Sequence, residues 1–435
     1  MERVFRNGLW VGAGAGTDSV LGDARIVDGV IVEIAPGIDA EQAEVEDLGG
    51  KWVFPGFAQS HVHLCQTLFR GLAEDLELLD WLGDRIWPLE AAHDEESTYW
   101  SARLGVTELL LGGTTSILDM GSLRHTDATF TACEQAGIRA ASGRALMDRE
   151  NSSGLCESLD ANMRGACDEA DRWHGKGRLR YAFAPRFVPS CSEELLRSVV
   201  QEARSRDCVI HTHASENESE VELVRSLTGM DNVEYLHGLG MTGSDVCLAH
   251  CIHLTDVEAE ILADTGTHLL HCPSSNLKLG SGIAQIPELR ARGVQVSLGA
   301  DGAPCNNSLD IFREMRLAAL IQKPRLGTGI LESSAILEMA TRAGAAASGL
   351  GAICGEIQVG KAADFVVVDP NHPTVCPQDD PVVAAVYSMS PSAIVSVWIE
   401  GVVVARDGQV LAWDSGETAR GAREAASRVR KAAGL

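Results

Sequence analysis

The chain has 435 residues, 45% of them hydrophobic and 22% charged, enough to bury a sizeable core, which excludes a disordered, collagen-like or miniature disulfide-stapled protein. Its 36 Lys and Arg face 61 Asp and Glu, a formal net charge of −25 with a pI near 4.9. Such a surface repels phosphate backbones and anionic headgroups, so neither nucleic acid nor a membrane is an expected partner. Twelve scattered cysteines lack the density of a secreted scaffold and predict reduced thiols in a cytoplasmic protein.

The opening MERVFRNGLW holds no apolar run of signal-peptide length. Residues 1–56 read as short strands broken by glycines, including 25–32 and 51–53. From Phe57 onward, strand-like runs alternate with helix-length spacers, at 57–64, 115–120, 139–146, 180–187, 208–214, 246–252, 268–272 and 295–300. Eight such runs match the count of a (β/α)8 barrel. Segment 192–204 opens on Ser-Glu-Glu and places Leu195, Leu196, Val199 and Val200 at helical spacing; 256–262 repeats the pattern. The first spacer, 65–113, is long and carries Trp81, Trp87 and Trp100, which predicts an elaborated loop and helix over the barrel mouth.

Beyond the barrel, 363–412 reads as strands again, at 365–368 and 394–404. Segment 382–399 comes nearest to a membrane span, but Tyr387, Ser388, Ser390, Pro391 and Ser392 interrupt it, and buried strands are expected there. The Ala-, Arg- and Glu-rich stretch 417–431 reads as a solvated terminal helix. The fold expected is therefore α/β: a distorted (β/α)8 TIM barrel over 57–362, with a small β-sandwich built from 1–56 and 363–435.

The chemistry-bearing residues fall at the C-terminal ends of the proposed strands, the catalytic face of such a barrel. The first strand ends Ser60-His61-Val62-His63, and residues two apart on a strand point the same way, so both imidazoles face one place. The fifth ends His211-Thr212-His213-Ala214-Ser215-Glu216, the sixth His250-Cys251-Ile252-His253, and the eighth Gly299-Ala300-Asp301-Gly302. Single histidines are commonplace. Imidazoles and carboxylates converging from four strands point to a divalent metal.

At these residues the chain resembles the amidohydrolase superfamily, in its mononuclear deaminase branch. The resemblance runs over essentially the whole length, including Val359-Gly360-Lys361-Ala362-Ala363-Asp364-Phe365. It implies His61, His63 and His213 as metal ligands with Asp301, which also contacts the reactive water. It implies His250 beside that water and Glu216 as the proton shuttle, leaving His211 facing away or supporting the shell. The fourth strand ends Ala184-Pro185-Arg186-Phe187 without the lysine that bridges two metals in binuclear relatives. One metal is expected, zinc by default, with iron(II) compatible with the same donors. The paired cysteines of cytidine deaminases are absent, since Asn306-Asn307 follows Cys305.

The implied reaction is hydrolytic deamination of an aminated heterocycle. Gln66 and Arg186 resemble the purine-binding pair of guanine deaminases, and an amide with a guanidinium suits ring donors and acceptors. Leu64 to Gly71, continuing to Trp87-Pro88-Leu89-Glu90, is closer to deaminases of adenosine derivatives and to triazine hydrolases, as are 271–279 and 302–307. A 5′-modified adenosine is expected first, guanine or another aminopurine or pterin second, and an s-triazine third. Arg70, Trp87 and Asn276 are candidates for contacting a ribose or its 5′ substituent, and Cys65, Cys251, Cys272 and Cys305 read as packing residues. A small heterocycle is the partner expected, with a homo-oligomer of unassigned size. A catalytically dead barrel would have lost ligands that are present here, and a binuclear cyclic amidase would need the missing lysine.

Overall fold

The computed structural model describes residues 2–13, 18–41, 43–151 and 153–435. Its N-terminal flank forms β1 (Glu2–Trp10), β2 (Val20–Val27), β3 (Val30–Ala35), β4 (Glu44–Asp47) and β5 (Trp52–Pro55). The barrel strands follow: β6 (Phe57–Val62), β7 (Thr114–Met120), β8 (Arg139–Gly143) with its short continuation β9 (Ala145–Leu146), β10 (Leu179–Pro185), β11 (Val209–Ala214), β12 (Val246–His250), β13 (His268–His271) and β14 (Gln295–Leu298). All eight expected runs are strands. They pair in parallel in the order β14, β13, β12, β11, β10, β8, β7, β6. Every residue of β6, β7, β8, β12 and β13 is buried, as expected of strands covered on both faces.

The barrel closes where β6 meets β14. Ser60 Oγ donates to the Leu298 carbonyl (2.9 Å), and the Asp301 amide donates to the His61 carbonyl (2.9 Å). Gly299 makes this seam possible. A Cβ there would lie 2.6 Å from the His61 carbonyl oxygen and 2.7 Å from its nitrogen, a backbone approach only glycine tolerates. The expected spacer helices run Glu193–Ser205, capped by Ser192 Oγ accepting from the Leu195 amide, and Asp256–Thr265, with a Thr255/Glu258 capping box.

The two flanks pair with each other through β15 (Phe365–Val368), which runs antiparallel to β5. With β16 (Ile394–Ile399), β17 (Val402–Arg406) and β18 (Gln409–Val410), they make one nine-stranded sheet. β1 has a bulge between Phe5 and Gly8; before it β1 pairs with β4, after it with β5. The sheet bends there. Phe5 on β1 and Trp398 on β16 lie three strands apart in the order, roughly 14 Å in a flat sheet, yet their rings meet at 4.9 Å. The sheet therefore curls around a core of Phe5, Trp10, Phe365 and Trp398.

Two expectations need correction. Residues 382–387 are not strand but lie in the helix Pro381–Tyr387, whose start Asp380 caps by accepting from the Val382 and Val383 amides. Proline at the first turn with an acidic cap outweighs the β-branched valines. The terminal helix Ser415–Ala432 is not solvated all round. It buries Ala422, Ala425 and Val429 against the long helix Glu95–Leu111, where Arg103 Nε donates to Thr418 Oγ1 (3.0 Å). No helix among the described residues is long and apolar enough to cross a membrane.

Candidate active site

The tips of β6, β11, β12 and β14 bring His61, His63, His213, His250, Glu216 and Asp301 to one cavity, which all of these line except His61, seated just beneath. Four tip residues hold left-handed backbone without being glycine: Ser215 (φ 53°), His250 (φ 74°), Cys251 (φ 47°) and Asp301 (φ 64°). Each aims a side chain where a continued strand could not, and conformations this sparsely populated concentrate at functional sites.

The hydrogen bonds determine which ring nitrogens face the cavity. His63 Nδ1 donates to the Met120 carbonyl (2.8 Å) and His213 Nδ1 to the Arg186 carbonyl (2.6 Å). Their Nε2 atoms therefore carry lone pairs, and they stand 3.3 Å apart. Asp301 Oδ1 lies 3.4 Å from both His61 Nε2 and His63 Nε2, and His61 Nε2 is buried without a hydrogen-bond partner. Burial, and then the neighbouring His61, depress His63 to about 3, so it stays neutral. Acceptors facing one another in a dry site fit a cation between them. His61, His63 and Asp301 form one group able to hold a metal ion, and His61, His213 and His250 another.

His211 lies within the site, with Nε2 2.7 Å from His61 Nδ1, so it supports the shell. His250 Nδ1 donates to Asn276 Oδ1 (2.8 Å), which leaves its Nε2 facing Glu216 Oε2 at 3.4 Å and Asp301 Oδ2 at 3.9 Å. Ser275 Oγ donates to Asp301 Oδ2 (2.6 Å) and the Gly302 amide to Oδ1 (2.7 Å). Burial, reinforced by the Asp301 charge, lifts Glu216 well above the carboxylate range. Asp301 is buried too, but His61, His250 and His63 hold it well below that range. The two carboxyl groups in one pocket are thus shifted in opposite directions.

Gln66 and Arg186 line the cavity, joined by Glu90: Arg186 bonds both oxygens (2.7 and 3.1 Å), and Gln66 Nε2 donates to one (2.9 Å). Three other candidates stand elsewhere. Arg70 pairs with Glu108 on the outside; an arginine on an exposed turn finds the nearest carboxylate, and this one lies on the helix Glu95–Leu111. Trp87 packs against the cluster of Leu123, Met147 and Leu155, while Trp81, six residues earlier and on the other side of a π turn at Leu82–Ile86, faces the cavity. Asn276 serves His250. Glu90, Ser275, Trp81 and Glu220 went unassigned in the sequence. Glu220 had a signal, lying one helical turn after Glu216, and its carboxylate accepts from the Glu216 amide (2.8 Å).

Residues 52–404 match the model of the amidohydrolase family. The chain belongs to that family. This amidohydrolase is 40% identical over 391 residues to the 5′-deoxyadenosine deaminase of Methanothermobacter thermautotrophicus, covering 89% of each chain. It is 35% identical to the 5-methylthioadenosine/S-adenosylhomocysteine deaminase of Desulforudis audaxviator, covering 99% of each. Among solved structures, an adenosine deaminase from Xanthomonas campestris with bound zinc superposes with a TM-score of 0.91 at 28% identity, over 99% of this chain and 98% of that one.

Proposed function

We propose that this amidohydrolase is a zinc-dependent deaminase of 5′-modified adenosines, releasing ammonia from the purine ring. The observation that carries this is geometric: His250 Nε2 stands 3.4 Å from Glu216 Oε2 and 3.9 Å from Asp301 Oδ2, beside the facing Nε2 atoms of His63 and His213. His61, His63 and His213, through Nε2, with Asp301 Oδ1, would hold the cation, and nitrogen and oxygen donors with an open position suit zinc. When bound, such a cation brings the pKa of water down to about 7. Asp301 Oδ2 and His250 Nε2 orient the attacking water and accept its proton. Glu216, whose burial favours its protonated form, donates to the ring nitrogen beside the attacked carbon as charge develops; the proton taken from water passes to the departing amino group, and Glu216 regains a proton from the new hydroxyl as the C–N bond breaks. Trp81, Leu78, Leu82, Phe187 and Leu279 supply an apolar wall that excludes water.

A second reading, deamination of a free aminopurine such as guanine, is favoured by one observation: Gln66 Oε1 is buried without a partner beside Arg186, as a planar base would require. The test is ammonia release by zinc-loaded protein from 5′-deoxyadenosine, methylthioadenosine, guanine and an aminotriazine, alongside two variants. His213→Ala is expected to lose both zinc and activity, whereas Glu216→Gln is expected to keep zinc and lose turnover by at least about 100-fold. Activity retained by His213→Ala would contradict the ligand assignment.

A further inference from the structure

β11 ends at Ala214 and the next helix, Glu218–Thr228, begins four residues on, so Ser215, Glu216 and Asn217 form the link between them. The backbone turns left-handed at Ser215 (φ 53°), whose carbonyl accepts the Ile252 (2.9 Å) and His253 (3.0 Å) amides from the segment after β12. The Glu216 amide lies past the strand and before the helix, where neither ladder nor helix supplies an acceptor. Glu220 Oε2 receives it at 2.8 Å. The other oxygen, Oε1, accepts from Nδ2 of Asn232, fully buried at the start of the helix Asn232–Gly238.

The helix does not need Glu220 for its own start. Asn217 caps it, with Oδ1 accepting the Ser219 amide (3.0 Å). Yet Glu220 is 1% exposed and lines the same cavity as Glu216 and Asp301, where burying a further acid beside two others opposes folding. A side chain that costs stability without serving the helix is expected to serve the site. From this arrangement we infer that Glu220 is a positioning residue for the deamination: tied at one end to Asn232 and at the other to the Glu216 amide, it fixes the link after Ser215 and so keeps the Glu216 carboxyl 3.4 Å from His250 Nε2. His213, three residues before Glu216, is anchored separately through the Arg186 carbonyl (2.6 Å), so metal binding does not depend on Glu220. The catalytic consequence rests on the deaminase reading above; the geometry of the tie does not.

The experiment compares zinc-loaded wild type, Glu220→Ala and Glu220→Gln, with kcat and KM for 5′-deoxyadenosine taken per bound zinc. Glu220→Ala is expected to keep its zinc, to hold KM within about threefold and to lose kcat by about 100-fold, the scale of a misplacement of about 1 Å. Burial lifts the Glu220 carboxyl to about 7, so a neutral amide is a close substitute. The Gln carbonyl can accept the Glu216 amide, and Asn232, whose Oδ1 meets no hydrogen-bond partner among the described residues, can turn to receive the new NH2 group. Glu220→Gln is therefore expected to retain kcat within about fivefold. A merely structural role would lower melting temperature and leave kcat per zinc unchanged; that result overturns the inference, as does a Gln variant no better than Ala. If Glu220→Ala does not fold, Asn232→Ala, which frees the far end of the tie, is expected to lose kcat by about tenfold, and an unchanged kcat refutes the role. If wild type releases no ammonia, the deaminase reading fails instead, and crystal structures of wild type and whichever alanine variant folds decide the positioning alone. A Glu216 carboxyl displaced from His250 by about 1 Å or more upholds it, and one that stays in place refutes it.

Discussion

Glu314 illustrates how a residue remote from the reacting atoms is tied to them. Its buried carboxylate accepts from Ser274 Oγ (2.5 Å), the Ser274 amide (3.2 Å) and Asn306 Nδ2 (2.9 Å). The neighbours of Ser274, Ser275 and Asn276, hold Asp301 and His250. Burial lifts the Glu314 carboxyl from its ordinary 4.5 to about 7 against those hydrogen bonds. Since the folded value is the higher one, folding favours the neutral acid; that stabilising share is complete below pH 4.5 and is lost as pH rises toward 7. The difference across that window is on the order of 3 kcal/mol. Glu314→Gln has no such titration, so wild type is expected to exceed it in melting temperature by more at pH 5 than at pH 8. A margin independent of pH would refute the buried-acid account.

At the scale of elements, the seam between β6 and β14 sets the distance between the first-strand histidines and Asp301. The Asp301 amide bonds the His61 carbonyl across it, so the carboxylate and imidazoles share one rigid joint. Gly299→Ala would push a methyl group against His61 backbone on β6. The expected cost is about 1 to 3 kcal/mol, with weakened zinc binding, measured by thermal melts and by metal content after dialysis. Unchanged stability together with full zinc occupancy would contradict the close approach. The eight strands were legible in sequence because fully buried parallel strands read as short apolar runs between helical patterns. The helix at Pro381–Tyr387 reads as strand for a related reason: a short apolar run does not declare its period, and the local signals for helix are confined to the Asp380 cap and Pro381.

Over the whole molecule, the curled terminal sheet is bound to the barrel through a buried charge cluster. Arg139, at the start of β8, places Nε 2.5 Å and Nη2 3.1 Å from the Asp364 carboxylate and Nη2 2.9 Å from Glu400. Asp364 also accepts the Glu400 amide (2.8 Å), joining barrel, β15 and the β16–β17 turn. Asp364→Asn would leave the Arg139 charge short of a partner, and a loss of about 3 to 5 kcal/mol is expected in chemical denaturation. A loss below about 1 kcal/mol would show that Glu400 suffices.

Taken alone, the sequence determined the barrel and singled out the histidines and carboxylates that meet at its mouth, because strand periodicity is local and spacings such as His61-Val62-His63 place two imidazoles on one face whatever surrounds them. It could not determine which groups share the cavity. Arg70 and Trp87 sit in the same segment as Gln66 and Glu90, yet the backbone sends Arg70 to the surface and Trp87 into the packing of Leu123, Met147 and Leu155, while Gln66 and Glu90 meet beside the cavity. Arg186 finds Glu90 across 96 residues, and burial beside Asp301 pushes the Glu216 carboxyl up while neighbouring imidazoles pull Asp301 down. Those are long-range electrostatic and packing outcomes, and only the closed barrel, which brings distant side chains within a few ångströms in a dry space, decides them.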